Sequence, residues 1–200
     1  MNIRKIHRII GLTMLLPLFG WAITGFIFFL KPGYQGAYEL LTIKTYPIDE
    51  PININPKLNW LEVKYFKTIL GNHLLVKTSE GWQHLDPITL SVKQMPTENE
   101  IKALVIDAFS LNPNRYGQIL SISKQAVVTD TSVTVSLDWN RLSLQQTGKD
   151  TSFIDSLYKI HYLQWTGIKL LDQILGLLGL ILIIFLSSLG IILQINTKQR

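Results

Sequence analysis

Four histidines, His7, His73, His84 and His161, are the side chains of this chain whose type and placement suit chemistry. An imidazole can carry a proton near neutral pH or donate a lone pair to a metal. Cysteine is absent, which excludes disulfides, thiolate sites and iron–sulfur clusters. No HExxH, G-x-S-x-G, P-loop or GxGxxG pattern occurs. Asp86, Asp107, Asp130 and Asp138 show no spacing that would pair two carboxylates for acid–base work. His73 and His84 fall on or beside a predicted hairpin. They read as solvent-facing strand or turn residues, because two histidines alone make a poor metal site. His7 and His161 stand apart, since each adjoins a long apolar run, and ionisable residues at membrane depth mark function. Plainer readings exist for both. His7 can be one more member of a basic cluster with Arg4, Lys5 and Arg8, and His161 an interfacial residue like its neighbours Tyr162 and Trp165.

The elements that would position these two histidines are readable from hydropathy. From Ile9 to Leu30 no residue is charged, which is roughly 33 Å of helix at about 1.5 Å per residue. The run is longer than the apolar segment of a secretory signal, and no small-x-small cleavage site follows it. It reads as a retained transmembrane helix over 9–30, with Pro17 tolerated inside it. At the other end, 173–195 is uncharged and rich in Leu, Ile and Gly, a second span. Before it, Asp155, Lys159, Tyr162, Thr166 and Lys169 recur at i, i+4, i+7, i+11 and i+14, one polar stripe at helical spacing. Residues 153–172 therefore read as an amphipathic interfacial helix, continuous with the span. His161 lies on its apolar side, between Leu157 and Trp165. Small residues repeat at helical spacing in both spans: Thr13, Pro17, Gly20 and Thr24 in the first, Gly176, Gly179, Ser187 and Gly190 in the second. Such stripes let membrane helices approach closely.

Basic residues set the expected topology. Arg4, Lys5 and Arg8 place segment 1–8 in the cytoplasm, and Lys198 and Arg200 do the same for 196–200. Segment 31–152 then lies outside, in the periplasm of a Gram-negative cell. The net charge of +5 is scattered and flanks the spans, so it argues topology and not nucleic-acid binding. Segment 31–152 carries a compact α+β pattern. Leu74–Lys77 and Trp82–Leu85 are strand candidates around the turn Thr78-Ser79-Glu80-Gly81, and 88–92 is a further one. Thr97 with Glu100 forms a capping box ahead of a helix whose apolar face is Ile101, Leu104, Val105, Ala108 and Phe109. Asn112-Pro113-Asn114 ends that helix. Segments 119–122, 127–129 and 133–137 read as strands. The expected fold class is a membrane protein with two transmembrane helices flanking an α+β extracytoplasmic domain.

Topology also constrains the histidines. His7 precedes the outward span and His161 the inward one, so a bilayer separates them. If each helps ligate one centre with a second histidine, that partner comes from another subunit. A twofold homodimer would pair each histidine with its symmetry mate, in a four-helix membrane bundle with one site at each face. Histidine is a usual axial ligand of haem iron, and a site without cysteine or nearby carboxylates suits haem better than zinc or iron–sulfur. Gly11, one turn after His7, would leave space for a flat macrocycle. Gly179 would share the face of His161 if the second helix ran unbroken.

At this point the residues resemble a known family. His7-Arg8, Gly11 and Thr24-Gly25, within RKIHRIIGLTMLLPLFGWAITGFIFFL, are similar to the first span of the PepSY-associated transmembrane family. Leu157-Tyr158, His161 and Gly167 resemble its second boundary motif. The central domain is similar in size and element order to a PepSY-like domain. The resemblance implies a bacterial inner-membrane protein with boundary histidines at His7 and His161 as axial ligands of haem b. It also implies electron transfer across the membrane to ferric iron or a ferric chelate, as in ferric and siderophore reductases. Larger members look like a fused pair of such units; two spans make a homodimer a requirement. With no flavin or nicotinamide motif, quinol or a cytoplasmic reductase would be the electron donor. Lys31, Lys159 and Lys169 would attract an anionic ferric chelate, or simply snorkel to the interface. Two haem-free alternatives stay open: a PepSY-type binding or regulatory module, and an accessory subunit of a transporter or respiratory complex.

Overall fold

A computed structural model describes residues 2–198, and Arg200 of the expected tail lies outside them. The chain divides into two units, Met1–Tyr34 with Thr151–Arg200, and Gln35–Asp150.

The first unit is helical. Helix α1 spans Ile3–Leu30, capped by the Asn2 side chain on Arg4 N–H and ended by Lys31 in the left-handed region. The helix starts at Ile3, upstream of the uncharged run, because an Asn N-cap satisfies the first-turn donors there. Helix α6 spans Lys169–Lys198 and packs antiparallel against α1. Both are long and apolar enough to cross a membrane, and only 11% of each apolar window is buried within the chain. A core helix of a soluble protein would be mostly covered, so these two present their apolar surface outward.

The helix expected over 153–172 is different. Helix α5 runs Lys149–His161 and stops; α6 begins only at Lys169. The break has a clear cause. Leu163 adopts φ 54°, Gln164 N–H reaches the Lys159 carbonyl at 2.8 Å, and Leu163 N–H reaches that of Ile160 at 3.2 Å. This pair of bonds is a Schellman termination. Asp172, in the first turn of α6, then accepts from Thr166 N–H at 2.9 Å and Thr166 Oγ1–H at 2.7 Å. An anionic group at a helix start is favourable there. The polar periodicity continued through Tyr162 and Thr166, and it concealed the corner.

The second unit is α+β, as its patterning indicated. Helix α2 is one turn, Tyr34–Ala37. One antiparallel sheet holds β1 (Glu62–Thr68), β2 (Gly71–Thr78) and β3 (Gly81–Leu85) in that order. The other holds β4 (Ile119–Ser123), β5 (Ala126–Thr129), β6 (Thr134–Asp138) and β7 (Ser143–Thr147). Helix α3, Glu98–Phe109, carries the expected capping box of Thr97 and Glu100. Its apolar face, with Leu104, Val105 and Ala108 fully buried, packs with Leu75, Val127 and Val135 in the main core. A short α4, Pro113–Tyr116, occupies the Asn-Pro-Asn stretch, since Asn112 caps it and Pro113 fits its first position. Segment 88–92 is not a strand; only Val92 bridges to Leu85.

Candidate functional site

His161 ends α5 and meets α1 from the side. Its Nδ1 lies 2.8 Å from Thr24 Oγ1. Trp21 Nε1–H donates to the His161 backbone carbonyl, one of the orphan acceptors at the end of α5. Phe28 meets the imidazole edge-on at 5.2 Å between centroids and stacks on Tyr158 at 4.8 Å. Trp21, Thr24 and Phe28 lie at i, i+3 and i+7, so one stripe of α1 holds His161. Ile160 sits beside Gly20, where a Cβ would meet its Cγ2 at 3.4 Å. The small stripe of α1 thus seats α5 at Gly20 and Thr24. Outside that stripe, α1 meets α6 at Gly11, where a Cβ would lie 3.8 Å from Leu186 Cδ1.

The second stripe seats the corner. A Cβ on Gly176 would meet the Tyr162 carbonyl at 3.3 Å, and one on Gly179 would meet Leu163 Cδ1 at 2.9 Å and Trp21 at 3.2 Å. Gly179 therefore neighbours the His161 corner by tertiary packing and not by sharing an unbroken helix face. Trp165, expected on the apolar side with His161, is half exposed in the corner. His161 meets α1 at Thr24, about 9 Å from the Leu30 end of that helix at roughly 1.5 Å per residue.

A cavity of about 1120 Å³ opens at this corner, lined by Trp21, His161, Tyr162, Trp165, Gly176 and Leu180. Lys159, Lys169 and the carboxylate of Asp172 line the same cavity. The volume exceeds the ~300–1,000 Å³ of ordinary small-ligand sites.

His7 lies far from it. His7 and Thr24 are both on α1, about 25 Å apart along the axis at ~1.5 Å per residue. His7 packs against Gly190, where a Cβ would lie 3.6 Å from its Cε1. Its Nδ1 is buried without a hydrogen-bond partner among the described residues, a costly state for an imidazole.

His73 and His84 are not solvent-facing. They are 0% and 1% exposed, on β2 and β3, under the Trp139 ring, whose centroid lies 4.3 Å from that of His84. His84 Nδ1 is 2.8 Å from the Trp139 carbonyl, which can only accept. His84 Nε2 therefore offers a lone pair to His73 Nδ1–H at 2.9 Å. His73 Nε2 in turn accepts from Thr68 Oγ1–H at 2.8 Å. Every imidazole nitrogen is satisfied with both rings neutral. Burial, and then the nearby Lys93 ammonium, lowers His73 to about 3 and His84 to about 4. Alternation in β2 would have warned of a two-sided strand: Leu74 and Val76 fill a second small core with Leu85 on the far face, so His73 and Leu75 share the main-core side. Among the described residues no cluster of three or more His, Asp or Glu could hold a metal ion.

No family model, no curated protein and no solved structure matches this chain.

Proposed function

We propose that this chain is a small two-span member of the PepSY-associated transmembrane family that holds haem b and passes electrons across a bacterial inner membrane. The acceptor is ferric iron or a ferric chelate at the periplasmic side. The observation that carries this reading is His161, anchored through Nδ1 and its own carbonyl to α1, and lining a cavity of about 1120 Å³.

The donor set fits the group. One imidazole supplies an iron ligand, Trp21, Tyr162, Trp165 and Leu180 supply apolar walls, and Lys159 and Lys169 supply cations for its carboxylates. The reading assigns the His7 imidazole, whose Nδ1 has no hydrogen-bond partner among the described residues, to a second site. Haem, when bound, supplies one-electron chemistry. The chain's own residues do the rest. Trp21, Thr24 and Phe28 orient the ligand ring, and the Leu- and Ile-rich spans keep water out. The two lysines outnumber the one carboxylate of the lining, Asp172, which favours anionic groups. Quinol or a cytoplasmic reductase supplies the electrons.

The absorption spectrum of the detergent-purified protein is the test. The reading expects Soret and α bands that sharpen on reduction and disappear in the double variant His7→Ala, His161→Ala. A colourless protein, or bands indifferent to both substitutions, rejects it and favours a haem-free binding module or accessory subunit.

A further inference from the structure

Thr24 has one hydroxyl proton and three neighbours. Two are backbone carbonyls of its own helix, Gly20 O at 2.6 Å and Trp21 O at 3.3 Å. The shortest contact is to Gly20 O, and donation along it points the proton back into α1. His161 Nδ1, at 2.8 Å, is then left to donate to the hydroxyl oxygen. The hydroxyl is almost fully buried, with Thr24 1% exposed, so no water competes for it.

We infer that Thr24 is a positioning residue that locks His161 in the Nδ1–H tautomer and leaves Nε2 as its single lone-pair donor to a metal-centred cofactor. The inference rests on the haem reading for its function but not for its geometry. A threonine usually bonds back to the i−4 carbonyl for local reasons. Here that local bond has a distant effect: it removes the hydroxyl as a donor and makes it an obligatory acceptor. An acceptor behind a ligating imidazole raises the ligand's basicity and fixes its ring. Ferric iron, the more charged state, gains more from a basic ligand than ferrous iron does. Thr24 therefore holds the reduction potential down and the affinity up.

The experiment uses the full chain in detergent, wild type against Thr24→Val and Thr24→Ser. Valine keeps the branched shape and removes the acceptor; serine restores it. In haem-free protein at mildly alkaline pH, nitrogen NMR of labelled histidine is expected to show His161 protonated on Nδ1 in wild type and Thr24→Ser, and a mixed or Nε2–H pattern in Thr24→Val. With haem added, Thr24→Val is expected to bind about 10–100-fold more weakly, with a midpoint potential shifted positive, and Thr24→Ser to recover both. An Nε2–H tautomer in wild type overturns the inference, as does a Thr24→Val protein whose tautomer, affinity and potential are unchanged. A protein that takes no haem defeats the functional reading, while the NMR result still decides the tautomer lock.

Discussion

At the scale of single residues, the four histidines separate into two buried in a sheet, one on the apolar helix α1 and one at the end of α5 packed against it. The pair His73–His84 makes a pH prediction. In the unfolded chain each titrates near 6.5, whereas in the fold they stand near 3 and 4. Folding therefore excludes protons that the unfolded chain binds. Stability from the pair is complete above about pH 6.5 and is lost as pH falls from there toward the folded values. Asp86 and Glu100 are held below the ordinary carboxylate range by backbone and side-chain hydrogen bonds, chiefly from Thr89 and Thr97 respectively, so their loss belongs to lower pH. Denaturant midpoints followed by tryptophan fluorescence should fall between pH 7 and pH 5. The double variant His73→Leu, His84→Leu should flatten that slope, since removing both partners is far milder than stranding one. A wild type with equal midpoints at the two pH values would refute this. The pair was invisible in the sequence because burial of His73 depends on Trp139, which arrives from a distant segment. His161 was legible as unusual, since hydropathy alone marks a histidine beside an apolar run; its partners Trp21 and Thr24 were not.

Among elements, the α5–α6 corner departs furthest from what periodicity suggests. Apolar and polar stripes continued through 162–168, and a local pattern cannot reveal that a Leu will take the left-handed C′ position. Glycine is the usual choice there, and Leu163 at φ 54° costs on the order of 1 kcal/mol in backbone strain. Burial decides against glycine. Leu163 is 5% exposed and fills the space left by Gly179, a contribution of about 1.5–3 kcal/mol. Leu163→Gly should therefore destabilise the corner despite relieving strain, visible as lower thermal stability in detergent and faster proteolysis after Tyr162. If the substitution stabilised the protein, strain and not packing would dominate. By contrast, α3 and the strands from β2 to β6 were readable, because capping box, turn residues and alternation all act locally. β1 and β7 were missed. β1 alternates only over Glu62-Val63-Lys64-Tyr65 before Phe66 breaks the pattern, at an exposed sheet edge, and β7 reads Ser-Leu-Gln-Gln-Thr with one buried apolar residue, Leu144.

For the whole molecule, the central unit ties its own two chain ends together. Gln146 Nε2–H donates to the carbonyls of Gly36, Ala37 and Glu39. Arg115 pairs with Asp150 at 2.8 Å and with Gln146 Oε1 at 2.6 Å. Chain entry and exit of this unit are thus adjacent. In the helical unit, His7 and the Thr24–His161 contact lie about 25 Å apart along α1 at ~1.5 Å per residue, so no single copy can offer both rings to one iron. In the proposed twofold homodimer each histidine would meet its own symmetry mate. The prediction is a haem-loaded dimer of twice 22.8 kDa, measured by native mass spectrometry from detergent. His7→Ala should halve the haem per dimer and leave the His161 site loaded; His161→Ala should do the converse. Mixed dimers of wild type with His7→Ala should lose the His7 haem entirely, because one remaining ligand does not make a bis-histidine site. A haem-loaded monomer, or a His7→Ala protein with undiminished haem, would show that the two histidines do not act as symmetric pairs.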